Sequence, residues 1–101
     1  MLNGEIWDIA LQERKDQIAQ LQKEYEELDR KMHVINFEEE MYTKLAERKH
    51  KHQEAFEQKR LASEEMYKQL DTKLNALAEE IKLINMEIDY IEEKIRLGSK
   101  K

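Results

Sequence analysis

Apolar residues recur along this chain in alternating steps of four and three, with no break in phase from residue 7 to residue 95. With Trp7 at heptad position d, the d series continues through Leu21, Leu28, Ile35, Leu70, Leu77, Ile84 and Ile91. With Leu11 at a, that series continues through Ile18, Tyr25, Met32, Tyr67, Leu74, Ile81, Ile88 and Ile95. Of the 26 a and d positions, 20 are apolar. The chain is 40% hydrophobic, which would fill only about ten of them by chance. A strict seven-residue repeat marks one face of a helix and predicts a left-handed supercoil. A stripe of this length must be covered by another helix, because burial of each large side chain is worth about 1.5–3 kcal/mol.

Composition narrows the class to all-α. Of 101 residues, 41% are charged, none is proline or cysteine, two are glycine and seven are aromatic. That charge exceeds the roughly 25% of an average globular chain and leaves too little apolar material for a sheet sandwich or an α/β core. The missing cysteines exclude a disulfide scaffold and a thiolate zinc site. No apolar run approaches the ~20 residues of a membrane span. The opening Met-Leu-Asn-Gly-Glu-Ile-Trp carries no basic n-region and no long apolar h-region, so a cytoplasmic location is the default, with leaderless export left open. A net charge of −5 argues against nonspecific nucleic-acid binding by the whole chain.

Helix signals frame the two ends. Asn3 suits an N-cap, Leu2 and Trp7 fit a hydrophobic staple, and Glu5 and Asp8 complement the helix dipole. Gly98 suits a left-handed stop after Lys94 and Arg96. Between them, residues 37–62 hold no Gly, Pro, Asn, Asp or Ser. Five Glu-to-Lys/Arg pairs at i,i+4 (Glu26/Arg30, Glu27/Lys31, Glu40/Lys44, Glu47/Lys51 and Glu64/Lys68) add about 2 kcal/mol together. Asn36 with Glu39, and Ser63 before Glu64-Glu65, are internal cap candidates without a stop signal ahead of them.

The leading expectation is therefore one continuous coiled-coil helix over residues 4–97, roughly 140 Å long, assembling into a two- to four-helix bundle as a single unit. The alternative is an antiparallel helical hairpin with its tip at about 47–56. Five of the six polar a/d positions (Glu39, Lys49, Gln53, Arg60 and Ser63, with Arg14 the sixth) fall between 39 and 63. Strong seams at 7–35 and 67–95 thus flank a polar centre. If paired a and d numbers sum to 109, a hairpin sets Lys15 against Glu92, Lys31 against Glu80 and Glu38 against Lys73, with one repulsion, Glu24–Glu87. Parallel pairing gives one attraction, Lys59–Glu64, and repulsions at Glu24–Asp29 and Glu87–Glu92. Such pairs are worth only ~0.2–1 kcal/mol. The lack of turn residues opposes a loop and keeps the continuous helix ahead.

A second apolar strip lies beside the first. At c it includes Val34, Met41, Ala55, Ala62, Ala76, Leu83, Tyr90 and Leu97, and at g Leu45 and Met66. A two-stranded coil leaves much of it wet, which favours bundling or a docked partner, with Leu83 and Tyr90 as contact candidates. Isoleucine at both a and d near the C-terminal end also leans away from a simple dimer. Charge is laid out acidic, basic, acidic: residues 24–40 carry −5, residues 44–60 carry +3 and residues 64–95 carry −5. Lys44, Arg48, Lys49, Lys51, Lys59 and Arg60 supply the basic segment and are candidates for an acidic protein partner.

No catalytic, cofactor-binding or metal-binding site is expected. His50 and His52 point about 200° apart on a helix, and Glu47-Arg48-Lys49-His50 is a lone match to the carboxylate-bundle spacing. No phosphate loop or nucleophile elbow occurs. The only tryptophan precedes Asp8-Ile9, so the Trp-x-Gly motif of small secreted hairpin proteins is absent. These features point to a non-enzymatic oligomerisation, scaffold or adaptor protein, a homo-oligomer or a binder of helical partners. The alternatives are a hairpin secretion or chaperone-type adaptor, and a nucleic-acid-associated protein using residues 44–60. Acidic flanks around that segment repel phosphate, so protein contact ranks first.

Overall fold

A computed structural model describes residues 3–98 as two long helices, α1 (Asn3–Glu47) and α2 (Gln53–Gly98), joined by residues 48–52. No strand occurs among the described residues. The chain is all-α and turns back on itself as a helical hairpin. The continuous helix expected over 4–97 is thus replaced by the hairpin alternative, and the turn falls inside the expected tip. Folding back lets each seam bury the other within one chain, so the apolar gain does not carry the entropic cost of association.

The turn forms without glycine or proline and without any positive φ. Side chains supply what turn residues would otherwise give. Gln53 Nε2 donates to the Ala46 carbonyl at 2.7 Å, tying the first residue of α2 to the last turn of α1. His50 Nε2 donates to the Leu45 carbonyl at 2.9 Å, while His50 Nδ1 accepts from the His52 N–H at 3.1 Å. These bonds satisfy carbonyls that the end of α1 leaves without helical partners. The backbone adds Arg48 N–H to Leu45 O and Gln53 N–H to His50 O, both at 3.3 Å. The expected Glu47/Lys51 pair straddles this turn and is no longer a pair on one helix.

Two compact units are built along the hairpin: the described parts of Met1–Tyr25 with Ala76–Lys101 (unit 1), and Glu26–Asn75 (unit 2). In unit 1, Ile18, Ile84 and Ile88 form a buried cluster against which Leu11 and Leu21 pack. Arg14 Nη2 meets Glu87 Oε1 across the helix pair at 3.7 Å. In unit 2, Met32, Ile35, Ala46, Leu70 and Leu74 are buried, and the Tyr42 and Phe56 rings stack at 6.2 Å.

The observed pairing is one heptad tighter than the register in which paired numbers sum to 109. Ile18 meets Ile84 and Ile88, and Ala46 meets Gln53. A turn of only five residues enforces this. None of the expected cross-pairs Lys15–Glu92, Lys31–Glu80 and Glu38–Lys73 appears among the ion pairs of the described residues, and Glu87 faces Arg14 instead of Glu24. The tighter register also disposes of the polar a/d positions. Lys49 lies in the turn, Gln53 caps α1, Ser63 is small enough to be buried, and Arg60 is held by Glu57 and Glu64. Both internal cap candidates, Asn36 and Ser63, lie inside uninterrupted helix. Gly98 is the last described residue of α2 and has no left-handed φ, so the expected left-handed stop is not made at it. Leu2 of the expected staple lies outside the described residues.

Arg60 donates from Nη2 and Nε to Glu57, at 2.6 Å to Oε1 and 3.1 Å to Oε2. This hydrogen-bonded contact holds the Glu57 carboxyl below its ordinary 4.5. A carboxyl depressed in the folded state stabilises it above the unfolded value, and that contribution disappears as pH falls through the folded value. Glu57→Gln is accordingly expected to flatten the loss of urea resistance below pH 4.5, compared with the unaltered chain. Parallel acid limbs for the two proteins would show that this contact contributes nothing.

Candidate helix-docking surface

All seventeen residues of the anticipated seam lie inside the helix pair, and none is exposed. Ile18, Met32, Ile35, Leu70, Leu74, Ile84, Ile88 and Ile91 are buried. Trp7, Leu11, Leu21, Tyr25, Leu28, Tyr67, Leu77, Ile81 and Ile95 are half-buried. The seam is thus engaged within the chain, and any docking surface must be built from what remains outside it. What remains is the second strip, because two helices cover only one stripe of each other. No large side chain is fully buried among the described residues.

In unit 2 the strip forms a shallow groove. Ile35 and Leu70 make its floor, Val34 and Met66 its walls, and Arg30, Lys31, Glu27 and Glu38 its rim. Val34 is 55% exposed, Met66 53% and Phe37 67%. Val34 and Met66 line one groove, and Phe37 lies three residues from Val34 on the same face of α1, so this exposure is grouped rather than scattered. Leu45 of the strip is half-buried, and Met41 and Leu61 are exposed. The rim carries both signs of charge at short spacing, with Lys31 and Glu38 one heptad apart on either side of Val34.

In unit 1 a second groove is lined by Trp7, Ala10, Arg14, Met86, Tyr90 and Ile91. Trp7 and Tyr90 meet edge to face at 6.2 Å, a favourable aromatic geometry, and Lys94 Nζ lies 5.4 Å from the Tyr90 ring centre. Tyr90 and Leu83 of the outer strip are both more than half exposed.

The basic candidates divide into two groups. Lys44, Arg48, Lys49 and Lys51 are exposed around the turn. Lys59 and Arg60 are occupied: Lys59 Nζ sits 5.8 Å from both the Tyr42 and Phe56 ring centres, and Arg60 is tied to Glu57 and Glu64. His50 and His52 are exposed, and their bonds serve the turn. Among the described residues no group of three or more His, Cys, Asp or Glu side chains is placed to hold a metal ion. No helix among them is long and apolar enough to cross a membrane.

The reading of c and g positions missed Phe37 and Met86, which are among the most exposed apolar residues. Both occupy f, three residues from a c position and therefore on the same helix face. That spacing was the available signal. Family models, curated proteins and solved structures were all compared with the chain, and none matches.

Proposed function

We infer that this chain is a non-enzymatic scaffold module that self-associates by packing the outer apolar face of one hairpin against another. The observation that carries this reading is the exposed Val34, Phe37 and Met66 patch on a hairpin whose own seam is already filled. The surface area supports it. The chain exposes 7972 Å² at a mass of 12.3 kDa. A compact monomer of that mass exposes about 6,100 Å². The excess, about 1,900 Å² for one chain, is more than the roughly 600–1,000 Å² that each partner contributes to a specific protein–protein interface, so a docked copy has surface to occupy. Shallow, open grooves suit the side chains of another helix better than a small substrate, which needs a concave site that excludes water.

Mass action provides the test. Sedimentation from about 1 to about 100 μM is expected to give a mass rising above 12.3 kDa, with a melting temperature that increases over the same range. A mass and a melting temperature that both stay constant across that range would remove the reading.

A further inference from the structure

The unit 2 face is self-complementary. Its central apolar residue, Val34, has Lys31 three residues before it and Glu38 four residues after it, both at g. On the other flank, at f, Arg30 precedes Val34 and Phe37 follows it. All four flanking residues lie beside or on the wet patch, with Arg30, Lys31 and Glu38 on the groove rim. An antiparallel copy of α1 laid on this face about a two-fold axis at Val34 brings g opposite g and f opposite f. Lys31 of each copy then faces Glu38 of the other, twice over. Arg30 of each copy then faces Phe37 of the other, where a guanidinium over a ring is attractive. A parallel copy brings g opposite f, which sets Lys31 beside Arg30 and opposes the assembly. In an isologous contact every pairing occurs twice, so the preference between the two directions is doubled as well.

We propose that two copies of this chain pair through α1 of unit 2, antiparallel, about a two-fold axis at Val34, with reciprocal Lys31–Glu38 ion pairs fixing the register. The proposal rests on the self-association reading and adds the face, the direction and the partner groups. Val34 and Phe37 are exposed in the single hairpin, so substituting them leaves its fold standing.

The chain has no cysteine, which makes Val34→Cys the only thiol in its variant. A residue on a two-fold axis meets its own counterpart within the roughly 4.4–6.8 Å Cα separation that a disulfide spans. Mild oxidation is expected to convert Val34→Cys into a covalent dimer, while the exposed control Leu83→Cys in unit 1 stays largely unlinked. Lys31→Glu is expected to weaken the dimer about tenfold by sedimentation, because two attractions become two repulsions. Adding Glu38→Lys to it restores the wild-type constant within about threefold, since the reversed pairs are again opposite in sign. Circular dichroism of each variant checks that the hairpin is intact. If the unaltered chain associates but Val34→Cys stays unlinked, or the double reversal gives no rescue, this geometry is wrong and self-association stands on another face. If the unaltered chain is monomeric throughout, both fall.

Discussion

Ile84→Asp is expected to melt unit 1 of the hairpin at 25 °C. Ile84 is 4% exposed and sits at the middle of the cluster with Ile18 and Ile88. The substitution removes an apolar side chain whose burial is worth about 1.5–3 kcal/mol and forces a carboxylate into the same space without a partner. The charge is the larger loss, and together they exceed the roughly 4–5 kcal/mol that marks the extreme of single substitutions. A small domain has about 5–15 kcal/mol in total. Helical ellipticity at 222 nm is expected to fall, and the remaining transition to broaden and move to lower urea. Leu28→Asp in unit 2 is the milder change, because Leu28 is only half-buried and its carboxylate can reach water. An Ile84→Asp protein with an unchanged melt would mean that the a and d positions do not face inward.

What could be read from the sequence follows from how often each signal repeats. The seam is written thirteen times at d and thirteen at a, so a few polar intrusions do not obscure it, and each of its seventeen named apolar residues is buried or half-buried. The turn is written once. It uses none of the residues that favour turns, because Gln53 and His50 cap the end of α1 through their side chains and the pairing of the two seams holds the chain closed. A rule that looks for Gly or Pro cannot find it. The cluster of polar a/d positions was the better pointer, since a seam must lose its partner where the chain reverses. The sum of 109 is a trial register on which flanking charge pairs of ~0.2–1 kcal/mol are compared, and such pairs are too weak to choose among registers, while the burial of isoleucines and the length of the turn decide it. The outer strip is legible at c and g, and Phe37 and Met86 extend it to f, a position at which the other residues are mostly polar.

The same insertion placed at two sites should have opposite consequences, and this is the sharpest test that the chain reverses direction at residues 48–52. Two residues added to an α-helix rotate everything beyond them by about 200°. Two alanines inserted after Asn75 therefore turn the inward face of the following helix outward. Lys82 moves into the place of Ile84, and Asp89 into that of Ile91. Each displaced isoleucine forfeits about 1.5–3 kcal/mol, and two charged residues enter the interior of unit 1. The helix of unit 1 is expected to melt, seen as a large loss of ellipticity and rapid proteolysis within residues 76–98. Two glycines inserted after Lys51 fall within the turn, where no helical phase is transmitted. They lengthen a short loop, which costs a fraction of the ~0.6 kcal/mol per doubling of loop length, and they disrupt the His52-to-His50 bond, worth about 0.5–1.5 kcal/mol. The melt is expected to shift by a few degrees with the helix content retained. In a continuous rod the glycine pair would break phase at its centre and do at least as much damage as the alanine pair. Equal destabilisation by the two insertions would therefore restore the rod, and strong tolerance confined to residues 48–52 is the outcome that only a hairpin accommodates.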